Sequence, residues 1–317
     1  MEYRILGKTG LRVSELGIGT WPIGGTLRVA DKPFSYGDVP KKTAFDVLDI
    51  AYEMGINFFD TADFYGLGRS EYLLGEKFYN IDNVIILTKA GYVPDGEYGS
   101  KIDLSYYHIM AAAKRSLERL NRKYIDIFLL HAPPENLEQW KEASEALRDL
   151  KYRGIIKHSG ISIGANFKRG IEWIKYPEIE VIEIFYNILL RDYETELLNK
   201  IRENNVGVVA ASPLSRGILS ETVSSQRVFD DSDVRNRWIK SDSTFSLFLE
   251  RREKIKKVLL KYKVPLTGTA LAFVLREKTI STVIPGMKSI QNVKQNIEEV
   301  YDYRYSKELF EELIRNL

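Results

Sequence analysis

The sequence predicts an α/β fold: a (β/α)8 TIM barrel with an N-terminal β-hairpin and an extra C-terminal helix. Eight short apolar runs of strand length recur along the 317 residues. Most are joined by one stretch of helical periodicity, the pattern of right-handed βαβ units. Short polar strings end several of these runs, among them Thr88-Lys89-Ala90-Gly91, Leu129-Leu130-His131 and Gly160-Ile161-Ser162. Strand C-termini and the loops after them are where such a barrel gathers its active residues.

The elements follow in order. Tyr3 to Leu6, a Gly7-Lys8-Thr9-Gly10 turn and Leu11 to Val13 read as a hairpin able to plug one barrel end. Glu15 to Gly19 is the first strand. Ala44, Val47, Leu48, Ala51 and Met54 then repeat at helical spacing up to Gly55, ahead of a strand at Phe58-Phe59. Val84 to Leu87 is continuously apolar, as in a strand buried on both faces. Ser105 reads as the N-cap of a helix striped by Ile109, Ala113, Ser116, Leu117 and Leu120. Ile125 to Leu130 is a strand, and Trp140, Ala143, Leu147 and Leu150 line the helix after it. Further strands are expected at Gly154–Ile163, Val181–Phe185, Val206–Ala210 and Thr282–Ile284. Helical segments fall near 166–175, 192–204, 248–262 and 289–299, and 305–317 is a last helix with no strand after it. No linker or low-complexity run divides the chain, so 1–317 reads as one domain. A doubly wound open sheet is the alternative, and the lack of a Gly-x-Gly-x-x-Gly turn after the first strand counts against its dinucleotide-binding form.

Composition narrows the function. Hydrophobic residues make up 44% of the chain, enough for a large core, and 46 basic against 44 acidic residues leave a net charge of +2. That balance points to neither nucleic acid nor an anionic membrane. The absence of cysteine removes disulfides and thiolate chemistry, and three histidines with no paired spacing make a metal site unexpected. Met1 to Gly10 lack a signal-like apolar core and no run approaches a membrane span, so a cytoplasmic location is expected. The oligomeric state stays open.

If the strands close into one barrel, Asp60, Tyr65, Lys89 and His131 meet at a single mouth. A phenol titrates near 10, and a nearby ammonium favours its ionised form. Lys89 is expected to act on Tyr65 in this way, Asp60 to hold the Lys89 amine, and His131 to orient a carbonyl oxygen or assist proton transfer. Taken singly, each has an ordinary reading: a packing tyrosine, a snorkelling lysine, a loop histidine, a turn aspartate.

These strings, in this order, resemble the aldo-keto reductase superfamily. The likeness covers nearly the whole chain. It runs from Tyr3–Ser14 and Gly17-Ile18-Gly19-Thr20-Trp21 through Asp60-Thr61-Ala62-Asp63-Phe64-Tyr65-Gly66 to Ser212-Pro213-Leu214 and Val283–Ser289. It implies a (β/α)8 barrel that reduces aldehydes and ketones with a nicotinamide cofactor and no Rossmann fold. The implied tetrad is Asp60, Tyr65, Lys89 and His131, with Tyr65 the general acid and hydride passing from the nicotinamide to the carbonyl carbon. Ser162 and Glu183 match the carboxamide-binding positions, although Glu183 replaces a common Gln, Ile163 a common Asn and Ala211 a common stacking aromatic. Ser212, Leu214 and Gly217 match the pyrophosphate loop. Lys288 and Ser289 match the ribose-phosphate grip, Asn292 stands where Arg or Gln is frequent, and Gln295 and Asn296 match the adenine contacts. Lys288 implies NADP(H) over NAD(H).

Trp21 matches a family position near the substrate and is counted with the cofactor-binding set. Phe34 and Tyr36 in loop 22–39, and Tyr92 and Tyr98 in loop 92–103, are candidates for an aromatic substrate wall. The stretch 218–247 is a candidate lid over the cofactor, or else an exposed, mobile loop. Two other functions compete. One is a redox-sensing nicotinamide-binding module resembling potassium-channel β subunits, disfavoured here because no long N-terminal extension precedes the barrel. The other is a Schiff-base aldolase using Lys89, for which the Asp60 and Tyr65 strings are unnecessary.

Overall fold

The computed structural model describes residues 1–29, 31–96, 99–191, 194–221, 223, 229–236 and 243–317. Eight parallel strands lie side by side in chain order: β1 Ile18–Gly19, β2 Phe58–Asp60, β3 Ile85–Ala90, β4 Ile125–Leu130, β5 Ile156–Gly164, β6 Val181–Phe185, β7 Gly207–Ala211 and β8 Thr282–Ile284. The last returns to the first. Val283 N–H donates to Glu15 O at 2.8 Å, Gly17 N–H to Val283 O at 2.9 Å and Gly19 N–H to Pro285 O at 3.1 Å. The sheet therefore closes into a barrel with no free edge.

Helices α1 Lys41–Glu53, α2 Arg69–Phe78, α3 Tyr106–Leu120, α4 Leu137–Tyr152, α5 Phe167–Ile171 and α6 Glu194–Glu203 follow the first six strands. Then come α7 Ser243–Tyr262, α8 Leu266–Leu275, α9 Ile290–Tyr301 and α10 Lys307–Arg315. The Ser105 hydroxyl caps α3, accepting from His108 N. The helix expected near 166–175 shrinks to α5, which carries Gly170 next to its last residue and gives way to turns before Pro177. Residues 192 and 193, at the start of another expected helix, lie outside the described residues. α8 has no counterpart among the expected helices. All but one of its residues are buried, so it has no polar face and no period to detect. No single helix among the described residues is long and apolar enough to cross a membrane.

Strand parity sets the site. Side chains alternate between barrel interior and helix layer with period two. Phe58, Leu87, Ile127, Leu129, Val181 and Val209 fill the interior. Phe59, Ile86, Phe128 and Ile182 pack outward against the helices. Two residues beyond Phe58, Leu87 and Val181, the same inward rows end in Asp60, Lys89 and Glu183. An apolar pattern thus delivers charged groups to the barrel axis at its C-terminal end.

The opposite end is sealed. The hairpin Tyr3–Ile5 and Arg12–Ser14 is antiparallel, and its Leu6 and Val13 are wholly buried in the interior cluster. Lys8 N–H donates to Asn205 O at 2.8 Å. Gly207 lets the plug approach, since a Cβ there would lie 2.7 Å from Leu6 Cγ. Shortening Leu6 to Ala should cost about 2–5 kcal/mol of stability, read as a lower urea midpoint, while leaving cofactor affinity of the folded protein unchanged. An unshifted midpoint would mean that the hairpin does not seal the core.

Candidate active site

Lys89 is completely buried on the barrel axis and lies between two carboxylates. Its ammonium donates to Asp60 Oδ1 and, at 3.0 Å, to Thr61 O. Glu183 Oε2 lies 3.1 Å away on the other side, and Glu183 Oε1 accepts from Ser162 Oγ at 2.8 Å. Above them, Lys89 Nζ is 5.3 Å from the Tyr65 ring centroid. His131, following β4, meets the Tyr65 ring edge-on at 5.8 Å, and Trp21 stacks on its other side at 5.6 Å.

Burial decides most of the ionisation here. It pushes Asp60 well above the carboxylate range, an effect that Lys89 opposes and Glu183 reinforces. Lys89 pays for burial too, but the two carboxylates outweigh that cost and raise its affinity for the proton above that of an ordinary lysine. Burial, with Lys89 beside it, drives His131 well below neutrality, so the imidazole is uncharged. Tyr65 corrects the expectation from charge alone. Lys89 does lower its pKa, but burial, Asp60 and Glu183 outweigh this and the net shift is upward. The resting phenol keeps its proton.

A cavity of about 1120 Å³ opens above this floor. Asp60, Tyr65, His131, Trp21, Ser162 and Glu183 line it at the barrel mouth, with Lys89 buried beneath. Ser212, Leu214 and Gly217 line it from the loop after β7, and Lys288, Asn292, Gln295 and Asn296 from the loop after β8 and the first turns of α9. Ser289 is not among the residues lining the cavity; its hydroxyl accepts from Asn292 N–H at 3.2 Å and caps α9. Ile163 packs toward Gly170 of α5.

Aromatic residues of both mouth loops meet. Trp21 Nε1 donates to Phe34 O at 3.1 Å, Phe34 contacts Phe64, Phe64 contacts Tyr92, and Tyr92 reaches His131 at 4.8 Å. Tyr98, the other expected wall residue, lies outside the described residues. So does much of the proposed lid; within 229–236, Val234 N–H donates to Ser35 O at 2.8 Å and ties that segment to loop 22–39.

A model of the Aldo/keto reductase family matches residues 15–314. The chain belongs to this family. An uncharacterized oxidoreductase of Bacillus subtilis is 31% identical over 315 residues, covering 97% of this chain and 94% of that protein. The NADH-specific methylglyoxal reductase of Escherichia coli is 29% identical over 306 residues, covering 92% and 91%. An aldo-keto reductase from Bacillus halodurans superimposes with a TM-score of 0.80 in its holo form, at 29% identity over 100% of this chain and 96% of that one. Its apo form gives 0.72 at 27% identity and the same coverage. Family members are NAD(P)H-dependent oxidoreductases acting on carbonyl compounds.

The cavity suits such a cofactor. The loop after β7 folds through left-handed backbone at Ser212 (φ 53°), Ser215 (46°), Arg216 (59°) and Gly217 (95°), a strained turn of the kind that cradles phosphate. Asn187 Nδ2 pins it by donating to Ser212 O at 3.0 Å. Arg216, Arg235 and Lys288 bring cations to the lining, and α9 offers an N-terminus for an anion. Arg216 was missed from the sequence, although a basic residue just before Gly217 was visible. Phe185 was also missed. It lines the cavity beside Ala211, its register partner on the neighbouring strand, where the family's stacking aromatic is absent.

Lys89→Met would leave Asp60 and Glu183 facing each other without a cation. A carboxyl whose folded pKa exceeds its unfolded value stabilises the fold below the ordinary carboxylate range, and that stability is lost as pH rises through the folded value. The variant should therefore lose about 3–5 kcal/mol near pH 8 and much less near pH 4 in chemical denaturation. Equal losses at both values would show that Lys89 does not neutralise this pair.

Proposed function

We propose that this protein reduces aldehydes or ketones to alcohols, with NADPH as the preferred cofactor and Tyr65 as general acid. The observation that carries the reading is the buried Asp60–Lys89–Glu183 cluster directly beneath a protonated Tyr65. When bound, the reduced nicotinamide supplies the hydride. Tyr65 gives its phenolic proton to the carbonyl oxygen as negative charge develops there, and Lys89 offsets that charge as it moves onto the phenol oxygen. Neutral His131 offers an N–H to the same oxygen and orients it. Trp21, Phe34, Phe64 and Tyr92 exclude water and favour an apolar substituent on the substrate. The Escherichia coli relative makes methylglyoxal a sensible first substrate, with aromatic aldehydes beside it.

Ser162, Glu183 and Phe185 are the residues we assign to hold the nicotinamide. Ser212, Leu214, Gly217 and Arg216 would hold the pyrophosphate, and Asn292, Gln295 and Asn296 the adenosine. Lys288, backed by Ser289 as cap of α9, would meet a 2′-phosphate. Its ammonium donates to Tyr36 O, which places the cation beside loop 22–39. The relative described as NADH-specific shows that the family alone does not fix the choice.

Replacing Tyr65 by Phe should lower carbonyl reduction by at least about 100-fold while changing cofactor affinity little. Undiminished turnover would remove Tyr65 from the mechanism. In fluorescence titrations NADPH should bind more tightly than NADH, and Lys288→Ala should weaken NADPH by about tenfold or more, a loss of about 1.4 kcal/mol, with NADH hardly affected. Equal weakening of both cofactors would exclude a 2′-phosphate contact.

A further inference from the structure

The outward faces of the barrel strands differ from one side of the mouth to the other. β4 to β7 keep theirs apolar to the end, at Leu130, Ile163, Ile184 and Ala210. Two residues beyond Ile18, Phe59 and Ile86, the outward rows of β1 to β3 end instead in Thr20, Thr61 and Thr88. All three threonines are wholly buried, and each adjoins a residue of the site: Trp21, Asp60 and Lys89. Their hydroxyls meet the first residues of α2. Thr61 Oγ1 donates to Ser70 Oγ at 2.8 Å, while Thr20 Oγ1 lies 2.6 Å from that same atom and donates to Asp60 O at 2.7 Å. A hydroxyl has one proton to give, so Ser70 donates to Thr20. The result is a one-way relay from Thr61 through Ser70 and Thr20 to the Asp60 carbonyl. Beside it Glu71, with no solvent exposure, accepts from Thr88 Oγ1 at 2.5 Å and from Arg119 Nε at 2.6 Å. Ser70 N–H also donates to Tyr65 O at 3.3 Å, across a left-handed turn at Gly66, Leu67 and Gly68.

We propose that Ser70 and Glu71 are positioning residues: they clamp the ends of β1, β2 and β3 so that the Lys89 ammonium and the Tyr65 phenol hold the geometry that proton transfer needs. The inference rests on Tyr65 being the acid. Stability alone does not ask for such a network. Apolar side chains fill the same positions on β4 to β7, and exchanging buried polar partners for apolar groups of similar shape is often neutral in stability. A fully bonded polar network adds direction, since its members fit together in one arrangement. Here that direction reaches the backbone of the site. Lys89 donates to Thr61 O, Asp63 N–H donates to Lys89 O at 3.0 Å, and Thr61 N–H donates to Leu87 O at 2.8 Å. The lysine-bearing strand is thus tied to β2 at points beside the clamped hydroxyls. A misplacement of about 1 Å between reacting groups can lower a rate by about 100-fold.

The test compares the wild type with Thr61→Val, Thr88→Val, Thr61→Ser, Thr88→Ser and Leu6→Ala. Valine keeps the shape of threonine without the hydroxyl, serine keeps the hydroxyl, and Leu6→Ala weakens the fold at the far end of the barrel. Each is measured for kcat and KM in carbonyl reduction, NADPH affinity and urea midpoint, and kcat is repeated with NADPH deuterated at the transferred position. Each valine variant should lose kcat by about tenfold or more, with a deuterium isotope effect at least as large as that of the wild type. KM and NADPH affinity should stay within about twofold. The serine variants should keep most of the wild-type kcat, and Leu6→Ala all of it. Valine variants that lose only stability and turn over at the wild-type rate would overturn the proposal. So would an equal loss of kcat in the serine variants or in Leu6→Ala. Should neither valine variant fold, Ser70→Ala is judged by the same readouts. Turnover surviving in Tyr65→Phe would overturn the acid reading itself, whereas an inactive Tyr65→Phe beside fully active valine variants would overturn only the clamp.

Discussion

One ammonium buried in the middle of a β-barrel constrains everything around it. Lys89 has no solvent exposure, and an isolated cation there would carry a prohibitive desolvation cost. The fold meets that cost with Asp60 and the Thr61 carbonyl at the end of β2 and with Glu183 on β6. Their arrival at one point depends on barrel closure and on inward parity along β2, β3 and β6. Their strength depends on dryness, for which the plug at Leu6 and Val13 seals the far end.

The same dryness gives the site its chemistry. Water would weaken the Lys89 contacts and let Tyr65 titrate as an ordinary phenol. Held in place and half-buried at the cavity floor, Tyr65 keeps its proton until a carbonyl oxygen with developing charge asks for it. Two carboxylates also keep Lys89 protonated, which removes the free amine a Schiff-base aldolase would need. His131, neutral beside the cation, offers a donor without adding charge.

Much of this was legible in the sequence because buried parallel strands are largely apolar on both faces, so Val84–Leu87 stands out as a bare run and Ile125–Leu130 and Val181–Phe185 as runs broken by one acid each. The strings after them marked the mouth, and the family resemblance ordered their roles. What stayed hidden was tertiary. The meeting of Glu183 with Lys89 requires strands distant in sequence to converge, and the net upward shift of Tyr65 requires a burial that charge patterning does not contain. α8 had no polar face to betray it. The Ser289 hydroxyl caps α9.

The most direct test is the charge of Lys89 itself, followed by nuclear magnetic resonance of the side-chain Cε and Nζ in lysine-labelled protein, with Lys89→Met identifying the signal. The account predicts an ammonium that persists as pH is raised past the ordinary lysine range. A neutral amine at Lys89 near neutral pH would contradict it, and with it the role of this cluster beneath Tyr65.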